Sequence, residues 1–321
     1  MSPTAPLVAV VTPVYNGAKY LAETMTCVQA QTYPHLVHVV LDNASTDATP
    51  QIIRSFANQR VPLITARNDV TVPFAENWER SLALVPEEAA YFRLLCADDK
   101  MIGNAIERMA EIGLANPNVG VIGCGFQVMD VVQESRWPQG VTVVPGREAA
   151  RRFFMGEGEI IGPHLMHRAD VLRLRKPFFD AVYNGIDTES CLFLLQHVDW
   201  ACTTEILAWT RVHDESLSHV VMHGQGKHFS DWLRYIHKYG RWAMSPPEFA
   251  QHKRAFERYY HRRLVLWLRR RNGPEVVRKH MALARELERG LTPLDFVDAF
   301  ADVVLKRLKL RPHVNAGFPL G

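Results

Sequence analysis

The sequence predicts an α/β sandwich around a mostly parallel sheet, followed by a basic, mainly helical extension. Three observations carry that expectation. Short apolar runs alternate with helix-patterned segments through the first 120 residues, the order that builds βαβ units and a parallel sheet. Polar residues follow several of those runs directly, and in such sheets ligands sit beyond the carboxyl ends of the strands. Charge is also unevenly spread: residues 1–227 hold 18 Lys or Arg against 25 Asp or Glu, whereas residues 228–321 hold 19 against 9. The tail is therefore a different kind of surface. We expect an α/β domain over 1–225 and a basic helical region over 226–321.

Each element follows from its local pattern. Residues 7–16 (LVAVVTPVYN) are apolar until Pro13 and Asn16-Gly17 break the run, as in a buried strand that ends in a loop. Residues 18–30 have helix-forming composition, and 36–43 (LVHVVLDN) form a second strand that ends at Asp42. Ser45, Thr46 and Asp47 precede an apolar-periodic segment and mark a helix start. Residues 61–66 (VPLITA) read as a strand, 74–85 as a helix, 91–96 (YFRLLC) as a strand, 103–115 as a helix and 118–130 as a fifth strand. The polar groups after strands one, two and four, namely Thr12 to Asn16, Asp42 and Asp98 with Asp99, then gather at one edge of the sheet.

Composition narrows the class. A chain of 321 residues with 47% hydrophobic and 22% charged residues suits a soluble globular protein with a sizeable core. No apolar run approaches the roughly 20 residues that span a bilayer, and the N-terminus lacks the basic region of a secretory signal. The five cysteines are scattered through apolar runs and read as reduced core thiols of a cytoplasmic protein. A dinucleotide-dependent oxidoreductase would need G-x-G-x-x-G after the first strand, where this chain has TPVYNG. The tail carries no nucleic-acid-binding motif, so nucleic acid is not an expected partner.

Five segments, VVTPVYNGAKYL, QTYPHLVHVVLDNASTDAT, LLCADD, GIDTESCLFL and RVHDESLS, stand in the order found in inverting family 2 glycosyltransferases of the GT-A fold, which the chain resembles over about residues 7–220. That resemblance implies a GT-A α/β/α sandwich with a mixed, mostly parallel sheet. It also implies transfer of a sugar from a nucleotide-diphosphate sugar, a UDP-sugar, to an acceptor hydroxyl with inversion. The acceptor would be a saccharide or a lipid-linked saccharide of bacterial surface polysaccharide or glycolipid assembly. A divalent cation, Mn²⁺ or Mg²⁺, suits carboxylate ligands and the diphosphate. By the resemblance Asp99 is the direct metal ligand, Asp98 lies near the ribose or the metal's waters, and His213 lies close to the diphosphate or the metal. Asp42 would accept the uracil N3–H, with Thr12, Pro13 and Tyr15 forming the other wall. Asp187 stands where the family has its general base, followed by Glu189. Gly162 and His164 would border the acceptor. The chain departs from the family pattern at Cys96 and Ala97, where many relatives place an Asp, and at Ile186, where many have a Glu.

Plainer readings stand beside these. Asp98 and Asp99 could cap the helix that starts near Gly103, and Asp187 and Glu189 could only occupy a first helical turn, where acids are favoured. Asp42 could serve a turn, and Tyr15 could be core. His219, His223 and His228 crowd near His213 without the cysteine pair or H-E-x-x-H spacing of a zinc site. A non-catalytic nucleotide- or sugar-binding module is the rival to the enzyme. For the tail, the sequence FERYYHRRLVLWLRRRN and the amphipathic segment DFVDAFADVVLKRLKLRP fit a peripheral helix on the anionic inner face of the cell membrane. They equally fit helices that pack on the catalytic domain.

Overall fold

The computed structural model describes residues 5–160, 162–213, 227–268, 273–287 and 292–307. The chain forms two compact units, Met1–Ala149 with Glu159–Val212, and Ala150–Gly158 with His213–Gly321.

The first unit opens with β1 (Val8–Val14), α1 (Leu21–Gln29), β2 (Leu36–Asp42), α2 (Thr49–Ser55), β3 (Leu63–Arg67), α3 (Phe74–Leu82) and β4 (Tyr91–Leu94). It continues through β5 (Lys100–Met101), α4 (Ala105–Ala115), β6 (Val119–Val128), β7 (Val131–Val132) and β8 (Val141–Val144). After α5 (Gly146–Met155), whose last residues count with the second unit, come β9 (Met166–Arg168), α6 (Ile186–Leu194) and β10 (Asp199–Thr210). One sheet runs β3-β2-β1-β4-β9-β6-β10-β5, with β7 on β6 and β8 on β10. Pairing is parallel among β3, β2, β1 and β4 and between β6 and β10, and antiparallel where β9, β5, β7 and β8 join. The five strands read from the sequence are all present.

All residues of β1 and β2 are buried, which is why these strands are apolar without alternation. Val8, Val10, Ile106, Met109 and Ile122 share one core cluster. Val14, Leu21, Met25, Val40 and Phe56 share a second. In the parallel register Val14 faces Asp42 and Val11 faces Leu94. The chain thus leaves β2, β1 and β4 at the same sheet edge.

The second unit contains α7 (Lys227–Tyr235), a single π-helical turn over Ile236–Gly240, α8 (Arg241–Ala243), α9 (Pro246–Trp267), α10 (Gly273–Leu287) and α11 (Pro293–Arg307). A capping box of Ser245 and Glu248 starts α9, satisfying amide groups that the first turn leaves unbonded. Phe256, Tyr260, Leu264 and Trp267 recur on one face of α9 and are buried. Phe256 stacks on Trp232 of α7 with ring centroids 6.5 Å apart, and the Tyr260 hydroxyl meets His280 Nδ1 of α10 at 2.7 Å. The aromatics of the basic segment therefore form this unit's core. Exposed apolar side chains lie at Leu266 and Leu268 at the end of α9 and on α11 at Leu294, Val297, Phe300 and Val304. Among the described residues no helix is long and apolar enough to cross a membrane.

Candidate active site

The β1–α1 and β2–α2 loops are stitched together at the sheet edge. Three consecutive amides donate across the gap: Asn16 N–H to Ser45 Oγ at 2.8 Å, Gly17 N–H to Thr49 Oγ1 at 2.8 Å and Ala18 N–H to Asp47 Oδ2 at 3.0 Å. The polar run before α2 therefore does more than start a helix. It fixes the neighbouring loop, from which Tyr15 stands 52% exposed. Burial works against the Asp47 carboxylate, yet hydrogen bonds from Thr49 and the Ala18 amide outweigh it and hold the pKa below its ordinary value. Gly17 suits this place, because a Cβ would come within 2.5 Å of Val14 Cγ2.

Asp42 is 2% exposed. One carboxylate oxygen accepts the Ser45 amide at 3.0 Å, the turn that its position allowed for. The other is paired with Arg67 of β3, whose Nη2 also donates to the Ser45 carbonyl at 2.8 Å. Arg67 stays 47% exposed at its side chain, so Asp42 and Arg67 together offer an acceptor beside donors. Thr12 lies inside the sheet, fully buried, with its hydroxyl 2.9 Å from His38 Nε2, and Pro13 is buried as well. These side chains belong to the floor beneath the loop, whereas Tyr15 is at its surface.

Asp98 and Asp99 lie in the turn between β4 and β5. They do not cap α4: strand β5 intervenes, and the N-cap of α4 is Asn104. Asp99 is 7% exposed and accepts the Arg211 amide on Oδ1 at 2.9 Å. Thr24 Oγ1 donates to the carbonyls of Ala97 and Asp99 at 3.0 and 2.9 Å, binding the turn to α1. Burial, then the adjacent Asp98 charge, pushes Asp99 up to about 7 against the pull of Arg211. A buried acid beside a half-buried one is a donor set that a hard divalent cation relieves. Ligand atoms of Cys96, Asp98 and Asp99 all lie within 4.8 Å of one another.

Asp187 occupies the first turn of α6 and also faces the short helical turn Gly162–His164. Its Oδ1 accepts the Thr188 amide at 2.7 Å, while a Cβ at Gly162 would strike its carboxylate. Burial raises its pKa against the Thr188 hydrogen bonds. The Cys96 thiol is pushed well above its ordinary value, first by burial and then by the charges of Asp99, Asp98 and Asp187. Asp187 lies against Gly162, His164 of the same short turn bonds Thr210, and the residue after Thr210 gives its amide to Asp99, so a run of contacts links α6 to the acid turn. Glu189 does something else: it is fully buried and bonds Arg175 through both oxygens, at 2.9 and 2.7 Å. His164 is buried, its Nε2 2.7 Å from Thr210 Oγ1, and burial lowers its pKa to about 3.

His213 is half-buried and counts with the second unit. His219 and His223 lie outside the described residues, and His228 is in α7. Arg67 went unread in the sequence, and Arg211 stood there only as the first residue of the RVHDESLS segment, with no role of its own. Arg67 closes β3 just as Asp42 closes β2, so a strand-end position was the one signal that could have found it.

Residues 9–180 match the family model described as glycosyl transferase family 2. A Bacillus subtilis (strain 168) protein named as the teichuronic acid biosynthesis glycosyltransferase TuaG is 30% identical over 108 residues, 33% of this chain and 41% of that protein. The chain spans about two fifths of the length of the curated relatives it matches first. Among solved structures, S. aureus TarS 1–349 in complex with UDP-GlcNAc gives a TM-score of 0.73 at 13% identity, over 96% of this chain and 93% of that one. The mannosyltransferase PcManGT from Pyrobaculum calidifontis, in complex with GDP-Man and Mn²⁺, gives 0.57 at 19% identity, over 96% of this chain and 82% of the other. At these identities the likeness is one of fold, the mixed α/β sandwich of GT-A proteins.

Proposed function

The chain belongs to glycosyl transferase family 2, and on that premise we propose that it moves a sugar from a UDP-sugar to a saccharide or lipid-linked saccharide hydroxyl, with inversion, using Asp187 as general base. That it is a glycosyltransferase follows from the family; donor, stereochemistry and acceptor are our reading. The observation that carries it is a run of contacts from Asp187, which lies against Gly162, through His164 and its bond to Thr210, to the Arg211 amide on Asp99. It links two acid groups from distant parts of the chain.

In this reading the acceptor oxygen attacks the anomeric carbon as its proton passes to Asp187, and the bond from that carbon to the diphosphate oxygen breaks. A carboxylate whose pKa lies above the ordinary range is the stronger base for that step. The Thr188 amide holds one oxygen, and Gly162 leaves room beside the other. Asp99 and Asp98 would hold Mn²⁺ or Mg²⁺, which when bound supplies positive charge to the leaving diphosphate. Asp42 and Arg67 together suit a base that presents N–H beside a carbonyl, as uracil does at N3 and O4. Guanine offers N1–H beside O6, and the TarS and mannosyltransferase complexes hold UDP-GlcNAc and GDP-Man respectively. Donor screens should therefore carry both bases. Tyr15, exposed beside them, is placed to cover a ring or ribose.

We assign the acceptor to a lipid carrier at the cytoplasmic membrane face because the tail is basic and α11 exposes Leu294, Val297, Phe300 and Val304. Such a surface binds anionic bilayers through apolar insertion and charge. Flotation with phosphatidylglycerol vesicles should carry the protein upward. Phosphatidylcholine vesicles should not, and equal binding to both would exclude the charge component.

The test of the catalytic reading is release of nucleoside diphosphate from UDP- and GDP-sugars with Mn²⁺. Turnover should collapse in Asp187→Asn while donor binding survives. A binding module of the same fold would bind donor and release nothing in either form.

A further inference from the structure

Arg211 follows β10 and reaches three parts of the first unit. Its amide donates to Asp99 Oδ1 at 2.9 Å, its Nε donates to the Asp98 carbonyl at 3.0 Å, and its Nη2 donates to Glu23 Oε2 at 2.9 Å. The guanidinium lies over the rings of Tyr20 and Trp209, 4.4 and 4.7 Å from their centroids. Lys100 Nζ sits 3.9 Å from the Trp209 centroid and 3.5 Å from Glu23. The arginine side chain is only 14% exposed.

This is more contact than a surface ion pair needs. A planar guanidinium stacked on aromatic faces loses little further freedom when its fork donates, and cation–π contacts strengthen as the cation is desolvated. The rigid group grips the backbone of the acid turn through the Asp98 carbonyl, while the preceding amide fixes one Asp99 oxygen. A turn that carries two like charges tends to splay, and this clasp opposes it. With one Asp99 oxygen held by the Arg211 amide, a cation would be met by the other, one oxygen per carboxylate. Small octahedral cations such as Mg²⁺ are met in that way, whereas Ca²⁺ readily takes both oxygens.

We propose that Arg211 is a positioning residue for the donor's diphosphate and its cation, a clasp that sets the Asp98–Asp99 turn from strand β10 and from the Tyr20–Trp209 ring pair. The proposal rests on the reading of that turn as the cation and diphosphate site.

The experiment is calorimetric titration of UDP and GDP, each with Mn²⁺ and with chelator, into wild type, Arg211→Ala, Arg211→Lys and Glu23→Gln, with thermal unfolding of each. Arg211→Ala should weaken the Mn²⁺-dependent binding at least tenfold while chelator-independent binding changes little. Arg211→Lys, which keeps a cation over the rings but loses the fork, should fall between. Glu23→Gln, altered at a half-exposed side chain, should weaken it a few-fold and fold normally even where Arg211→Ala does not. Arg108→Ala, which breaks a surface ion pair with Glu205, should leave binding unchanged. Wild-type affinity in Arg211→Ala, or equal losses with and without Mn²⁺, overturns the clasp. Absence of Mn²⁺-dependent binding in wild type overturns the reading of the turn itself.

Discussion

Asp42 and Asp99 end up at the same sheet edge, behind strands that flank β1 on either side, yet they live in opposite surroundings. Both are buried, at 2% and 7% exposure. Asp42 is neutralised by Arg67 and closes its own turn on Ser45. Asp99 has an amide for one oxygen and a second acid as its neighbour, and it is pushed up to about 7. Burial is common to both acids; the sign of the nearest charge separates them. On our reading Asp42 and Arg67 together meet the base at the β2 end, and the acid pair at the β4 end would hold a cation.

The largest effect should come from the third acid, which extends this contrast across the chain. Asp187→Asn is expected to lower turnover by about 10²–10⁴, the usual worth of a general base, with nucleotide affinity kept; normal turnover would remove Asp187 from that role. Gly162→Ala should follow, because its methyl would strike the Asp187 carboxylate. We expect at least a tenfold loss of kcat with little change in donor affinity, and a loss confined to KM would break the geometry argued for Asp187.

The comparison itself is sharpened by stability. Asp42→Asn strips Arg67 and the Ser45 amide of a charged partner, so its Tm should fall. Asp99→Asn removes a crowded charge, and its Tm should hold or rise at neutral pH, as at sites where function opposes stability. Differential scanning calorimetry on both decides it. If both variants fall alike, the two strand ends do not differ in the way described.

The contrast also bears on pH dependence. Burial lowers His38, His164 and His167 to about 3 each, whereas in the unfolded chain they titrate near 6.5. The unfolded state therefore binds more protons between about 3 and 6.5, so stability is full above that window and is lost as pH falls through it. Each histidine contributes at most about 1.4 kcal/mol per pH unit. Asp99, raised instead, acts in the opposite sense as pH rises from about 4 toward 7 and offsets part of the gain. Urea midpoints that stay flat from pH 6.5 to 5 would contradict the buried neutral histidines.

Much of this was readable before the structure. Continuous apolar runs gave β1, β2 and β4, and parallel strands bring Asp42 and the acid pair to one edge. What could not be read were partners without periodicity. Thr12 sits in a motif-like run but turns inward to His38, 26 residues away. The clasp joins Arg211 to Asp99 across 112 residues. The short strands β5 and β9 carry too few residues for a pattern to show. The aromatics of α9 illustrate the converse: interleaved with Arg, they fit a membrane surface or a packed interior equally, and only packing shows that Phe256, Tyr260 and Trp267 face inward.

The central claim is that the turn after β4 holds a cation against a diphosphate. Calorimetry of UDP binding with Mn²⁺ and with chelator tests it directly. The account predicts at least tenfold tighter binding with Mn²⁺, a gain that disappears in Asp99→Ala and persists in Asp42→Asn. Identical affinities with and without the metal, or a gain that Asp99→Ala leaves intact, would contradict it.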